Sequence, residues 1–463
     1  MIASSDSTLV ARSLRTGPRD TDTKHRLLTA EATDEESTLD EERAKKSGGG
    51  GRVKVRGTLR KWTSGTSGIP LLSKIRAKIA SSTYTSWYKA NLKPKDVNKI
   101  LDLSKQQNWE YSLGYLRYWR LRGGGYEKLA AADFLIVATG AGFSADSSLP
   151  VYADIAKVEV YEKMGVEYQD LCDPYMLEQD EELFYGFWGS CTNSYRDTEH
   201  HRGYQILRKW RDIIRSKDSA NSDSSQDEKR TAFRAAFDRL RKCEALPANL
   251  SVDLVTNDPF FVYTSNVDAH FHRDFDKKEV YELHGSVETW QCAGDVETGA
   301  REPCEKLWKL PAGYRFDLDV VAMRAPGGAP TTCPSCGGKG RPNVLMFHDR
   351  QWIANIDEED GYIAWESVME LMLQDDPSLN LVVLEIGCGL RVPSVRRETE
   401  MVVADVIEGC GRPQATLIRI NPDIPECDNP VILANGRFLS IPTKGLEALE
   451  GIDQELANLR KSV

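Results

Sequence analysis

The sequence lacks a long apolar run. Its longest, such as Phe134–Ala138 and Leu381–Ile386, fall far short of the ~20 apolar residues that cross a bilayer as a helix, so no membrane span is expected. It also lacks an excess of positive charge: the formal net charge is −10. That balance argues against direct nucleic-acid binding, which calls for a basic face, and leaves room only for a local basic patch toward an anionic cofactor. No apolar secretory core opens the chain, and Cys172, Cys191, Cys243, Cys388, Cys410 and Cys427 have no close partner in sequence. A disulfide framework is therefore not expected. Reduced thiols in an intracellular compartment are: cytoplasm or nucleus, with an organelle left open.

Residues 1–58 lack a sustained apolar period and contain four consecutive glycines at 48–51, the composition of a disordered, solvated tail. Arg12, Arg15 and Arg19 raise the idea of an organellar transit peptide; Asp6, Asp20 and Asp22 speak against it, because such peptides avoid acids.

What the chain does have is length for two or three domains, with 463 residues, 40% hydrophobic and 28% charged. Residues 59–125 read as a helical extension that docks on the main domain. Leu71, Leu72, Ile75 and Ile79 mark one amphipathic stretch, and Trp109, Tyr111, Tyr115, Leu116, Tyr118 and Trp119 form an aromatic packing stripe. The glycine-rich turn described next and a mostly helical stretch fill 126–215; a polar loop is expected over 216–230 and another helix over 231–248. His200 and His201, adjacent on an expected helix, would point to different faces and so would not share a metal. Beyond them, short apolar runs recur at Phe260–Tyr263, Val280–Leu283, Val344–Phe347, Leu381–Ile386 and Thr416–Ile420. Strands alternating with helices predict an α/β domain, a doubly wound parallel sheet with helices on both faces.

Polar clusters fall where those runs end, the side of such a sheet on which ligands collect. Phe134–Thr139 breaks into Gly140-Ala141-Gly142-Phe143-Ser144. The glycines let the backbone turn and approach a ligand closely, although alanine stands where a third glycine would complete a dinucleotide fingerprint. Next comes Thr264-Ser265-Asn266-Val267-Asp268. Asn266 and Asp268 share one side of an extended chain and suit ribose hydroxyls and a carboxamide, or equally the capping of a turn. His284-Gly285 ends another run, offering an imidazole that can take a proton near neutral pH. Gly387-Cys388-Gly389 and Asn421 end two more runs, plausible contacts for the far half of a dinucleotide. Finally, Cys333-Pro334-Ser335-Cys336 with Gly337-Gly338 forms a metal knuckle, and Cys292 and Cys304 complete four thiolates. Four thiolates leave no open coordination position, so such a zinc site would be structural.

In order and spacing, from about residue 126 to 450, these segments resemble the sirtuin (Sir2) family of NAD-dependent protein deacylases. Gly140–Ser144 resembles the family's G-A-G-x-S, Thr264–Asp268 its T-Q-N-x-D, His284-Gly285 its H-G, the four cysteines its zinc ligands, and Arg341-Pro342-Asn343-Val344 with Phe347 its R-P-x-V…F. Gly387–Gly389 with Val392-Pro393 resembles G-T-S-x-x-V-x-P, and Ile420-Asn421 its I-N.

The resemblance implies a Rossmann-like NAD-binding domain over 126–287 and 343–463 and a small zinc module over 288–342. It implies NAD as co-substrate, zinc, and an acyl-lysine protein or peptide as partner, held between the domains. The acyl oxygen would attack C1′ of the nicotinamide ribose as nicotinamide leaves. His284 would be the general base for a ribose hydroxyl, with Asn266 and Asp268 orienting the ring. Gly140, Ala141, Gly142, Ser144, Tyr152, Ser265, Gly387, Cys388, Gly389 and Asn421 would line the NAD site. Where the family has Asp-Phe-Arg after its proline, this chain has Val151-Tyr152-Ala153. Tyr152 can replace the aromatic lid, whereas Ala153 lacks the arginine's charge and fork of donors. Two alternatives stay open on that account: NAD hydrolysis or ADP-ribosyl transfer, and NAD binding without catalysis.

Overall fold

In a computed structural model, residues 125–151, 159–216, 223–247, 250–295 and 301–460 are described. The expected tail, nearly all of the helical extension, Tyr152 and Ala153 lie outside the described residues. Strands β1 (Phe134–Thr139), β2 (Phe260–Thr264), β3 (Val280–Glu282), β7 (Leu381–Ile386), β8 (Ala415–Ile420) and β9 (Phe438–Ile441) form one sheet in the order β3-β2-β1-β7-β8-β9. Every pairing is parallel. Counted within the sheet, that is the 3-2-1-4-5-6 order of a Rossmann-like doubly wound fold. β1, β2, β7 and β8 are buried at every position, as strands covered on both faces must be. Alternate β1 residues Phe134, Ile136 and Ala138 pack with Phe233, Trp365, Val368 and Val403 in the main core. These partners lie on helices Asp223–Lys242, Ile356–Asp375 and Ser394–Cys410.

Three expectations change here. The loop expected over 216–230 is helical from Asp223; Gln, Glu, Lys and Arg propagate a helix well even with no apolar period to announce it. His200 and His201 lie not on a helix but between the helices α2 (Glu181–Asp197) and α3 (Gly203–Ser216). The run Val344–Phe347 is not a strand of the large sheet. Val344 ends β6 (Gly340–Val344), and Met346 and Phe347 follow it into a second apolar cluster. A short apolar run cannot say which core it fills.

That second cluster belongs to a three-stranded antiparallel sheet ordered β5-β4-β6, with β4 at Gly285–Cys292 and β5 at Trp308–Lys309. Trp290, Phe316, Val344 and Met346 pack there with Phe184, Tyr185 and Trp188 of α2. β4 and β6 pair at Gly285↔Val344 and Ser286↔Asn343, then resume at Trp290↔Pro342 and Cys292↔Gly340. Val287, Glu288 and Thr289 therefore bulge out of the ladder. The bulge is tied down: Val287 N donates to Val267 O at 3.0 Å, and Arg196 of α2 grips the Glu288 carboxylate at 2.7 and 2.6 Å.

Candidate active site

β1 and β7 are neighbours although the chain runs from β1 to β2 and β3 first, so the crevice between their carboxyl ends is the topological switch point where open α/β sheets bind ligands. Both glycine turns are there. The short helix α1 (Ala141–Ser144) starts after Gly140, whose N–H donates to Ile386 O at 3.1 Å; Gly142 N–H donates to Gly387 O at 3.0 Å. A Cβ on Gly142 would come within 2.8 Å of the Gly387 Cα, and one on Gly387, whose φ is +66°, within 2.5 Å of the Gly142 carbonyl carbon. The glycines are thus required by two turns pressed backbone to backbone. The Gly142 N–H is spent inside the protein, while Ala141, first in its helix, has no acceptor one turn back.

β2 delivers Ser265, Asn266 and Asp268, all buried. Thr264 Oγ1, bonded to Thr139 Oγ1 at 2.8 Å, accepts the Asn266 N–H at 3.1 Å. The Asn266 Nδ2 is buried with no acceptor among the described residues. Leaving such a donor unpaired costs roughly 1–3 kcal/mol, so this amide points to a missing ligand or water. Ser144 Oγ donates to Asp268 Oδ2 at 2.5 Å, and the His270 N–H to Oδ1 at 2.9 Å. The G-A-G-x-S serine and the N-x-D aspartate are therefore one hydrogen-bonded unit bridging β1 and β2.

His284 lies in the two-residue turn between β3 and β4. It is half-buried, and burial lowers its pKa to about 4, partly opposed by a hydrogen bond to the Ser265 backbone. Its imidazole is neutral at physiological pH and has a free electron pair to accept a proton. Its own carbonyl accepts Leu345 N–H at 2.9 Å. Gly285, at φ +77°, is needed for a reason the sequence does not reveal: a Cβ there would sit 2.0 Å from Asn343 O on β6.

Cys388 is buried, which holds its thiol well above the usual range and keeps it protonated. Asn421 serves the loops as well. Its Nδ2 donates to Cys388 O at 2.8 Å, and its Oδ1 accepts the Asp423 and Ile424 N–H groups at 3.0 Å each. Arg396 was missed by sequence reasoning. It is buried and donates to Cys388 O (3.3 Å), Ile424 O (2.9 Å) and Glu426 O (2.9 Å). Asn421 and Arg396 together clamp the turn after β7 to the loop after β8. The signal was available: Arg396 sits three positions before Thr399 on the face that carries Val402, Val403 and Val406, a charge where the helix should be apolar.

Cys292 ends β4, and its sulfur lies with those of Cys304, Cys333 and Cys336, all four within 4.8 Å of one another. The Cys292–Cys336 sulfur separation is 3.7 Å; tetrahedral zinc with ~2.3 Å bonds sets sulfurs about 3.8 Å apart. The knuckle closes by Gly337 N–H to Cys333 O and Cys333 N–H to Gly338 O, both 2.8 Å, with Ser335 N–H 3.4 Å from the Cys333 sulfur. The four residues fit zinc and would hold it as a closed structural site. His200 and His201 contribute no metal group: His200 pairs with Asp274 at 2.5 Å and His201 Nε2 meets Phe143 O at 3.0 Å. Among the described residues no helix is long and apolar enough to cross a membrane.

Solved Sir2 structures are similar to this chain at low identity. A Sir2 homologue in complex with NAD is 16% identical over 72% of this chain and 93% of its own, with a TM-score of 0.41. Sir2 bound to the inhibitor EX-527, 2′-O-acetyl-ADP-ribose and a deacetylated p53 peptide is 15% identical over 71% and 96%, with a TM-score of 0.38. Sir2Tm bound to a propionylated peptide is 14% identical over 71% and 96%, at 0.38. Residues 1–122 match a family model described as RXLR phytopathogen effector protein, avirulence activity. That segment contains Arg12-Ser13-Leu14-Arg15, which spells the family's name. No curated protein matches the sequence.

Proposed function

We propose that this chain is an NAD-dependent protein-lysine deacylase of the sirtuin type, with NAD and an acyl-lysine peptide as its two substrates. The observation that carries the reading is the arrival of Gly140–Ser144, Ser265–Asp268 and His284 at the carboxyl ends of three adjacent parallel strands, in the chain order of the sirtuin motifs. The unpaired Asn266 amide would meet the nicotinamide or its ribose, Asp268 held by Ser144 would orient that ring, and the Ala141 N–H would face the diphosphate. The neutral His284 would take the proton of a ribose hydroxyl, making that oxygen the nucleophile that draws the acyl group off lysine. Zinc would supply no chemistry to this step; it would hold the small sheet whose first strand begins beside His284.

Nicotinamide release measured with and without an acetyl-lysine peptide tests the proposal. Release only with peptide is expected. Release without peptide turns the assignment to NAD hydrolysis or ADP-ribosyl transfer, and NAD binding with no release leaves a non-catalytic protein.

The match of residues 1–122 extends the proposal as far as its description goes: an effector segment of a phytopathogen protein joined to a catalytic region. Replacing Arg12 and Arg15 together by alanine should leave nicotinamide release unchanged and abolish an avirulence response in plant tissue. An undiminished response rejects the extension.

A further inference from the structure

Four thiolates around one Zn²⁺ carry a net charge of −2, and donors or cations beside the sulfurs strengthen such a site. Among the described residues Arg301 does so with formal charge. Arg301 Nη1 lies 3.5 Å from the Cys292 sulfur and 3.3 Å from the Cys336 sulfur, and its Nη2 donates to Gly294 O at 2.5 Å. Its backbone is pinned as well: Arg301 O accepts Asp295 N–H at 2.8 Å and the Gln351 side-chain amide at 3.3 Å. Among the described residues no carboxylate lies within ion-pair distance of this guanidinium, so its charge is directed at sulfur. The residue comes from the segment between Cys292 and Cys304, which is longer than a metal knuckle needs.

We propose that Arg301 is an outer-sphere ligand of the zinc site: it bridges two of the four thiolates, halves the net charge of the metal cluster, and slows loss of the metal. The proposal rests on the reading of the four cysteines as a zinc site and is independent of the deacylase reading.

The test is zinc release from the full chain into a chromophoric chelator such as 4-(2-pyridylazo)resorcinol, followed by absorbance. Wild-type protein should hold about one equivalent. Arg301→Ala and Arg301→Gln should release it about tenfold faster, within the 10–100-fold range typical of lost outer-shell partners. Arg301→Lys, which keeps the charge but not the two-pronged reach, should fall between. A variant that purifies already depleted of zinc supports the proposal equally, provided that Arg301→Lys retains metal. Release at the wild-type rate from both Arg301→Ala and Arg301→Gln overturns it. Wild-type protein that purifies without zinc overturns the metal reading beneath it, a result separate from any outcome with NAD.

Discussion

The central strands of the large sheet are buried along their whole length, and their neighbours are apolar side chains from long helices. The small sheet has one two-residue strand with neither residue buried, and its far end converges on four sulfurs. One region is built on long helices over a fully buried sheet; the other rests on a second apolar cluster against α2 and gathers four sulfurs that could hold a metal. The difference teaches where each can fail. The large sheet should tolerate loss of metal, and the small one should not. The candidate catalytic histidine sits on the seam, after the last residue of one sheet and before the first of the other.

The largest expected effect comes at that seam. His284→Ala should lower peptide-dependent nicotinamide release by about 10³-fold, within the usual range for a lost general base, with melting temperature and NAD affinity near wild type. Retained turnover removes His284 from the mechanism. Next, Cys333→Ser with Cys336→Ser should abolish metal binding and lower turnover by roughly 10²-fold, since a structural zinc contributes its binding energy to folding. Calorimetry should then show the small sheet lost first while the large sheet's transition remains. A single cooperative loss of both would erase the contrast between the two regions.

Within the large sheet, Gly387→Ala should cost about 2–4 kcal/mol by urea denaturation, because the new methyl meets the Gly142 backbone at positive φ. Gly411, also at positive φ (+62°) but with nothing within 4 Å of a Cβ, should cost only about 1 kcal/mol as alanine. Equal costs would mean that the two glycine turns are not pressed together. Arg396→Gln should raise KM for NAD by about fivefold to tenfold, in line with 1–1.5 kcal/mol of loop disorder, and leave KM for peptide and kcat unchanged. A parallel rise in both KM values would make Arg396 a general structural residue.

The smallest effect concerns pH. His284 binds its proton near pH 4 when folded and near 6.5 when unfolded. Between those values the unfolded state holds more protons, so stability falls as pH drops from about 6.5 toward 4. Burial lowers His201 and His270 too and adds to the trend. His272, raised overall by its contact with Glu282 against the effect of burial, runs the other way and loses its contribution as pH rises through its folded pKa. The fall in melting temperature between pH 7 and 5 should be shallower in His284→Gln.

The sequence made the strand ends legible because burial on both faces forces continuous apolar runs and the turns after them need glycine. It exposed the cysteine quartet because Cys333-x-x-Cys336 with two further cysteines upstream is a spacing that suits a metal knuckle. It did not expose the polar links. Arg419–Glu385 and Arg341–Asp349 are fully buried ion pairs, and a charged residue in a strand reads as an edge until its partner is known. Asn421 was visible at its strand end, yet its side chain is engaged with three backbone groups of the neighbouring turns. Gly285 was visible too, but the strand that passes over it lies almost sixty positions further on.

The three bulged residues of β4 give the seam a further property. Val287 is anchored to the turn after β2 and Glu288 to α2, while Thr289 pairs with Lys309 of β5, so the strand is held beside the histidine by contacts separate from its cysteine end. The bulge works as a strain-relief joint. A change of length near the four cysteines is therefore expected to be taken up at the bulge before it reaches the imidazole.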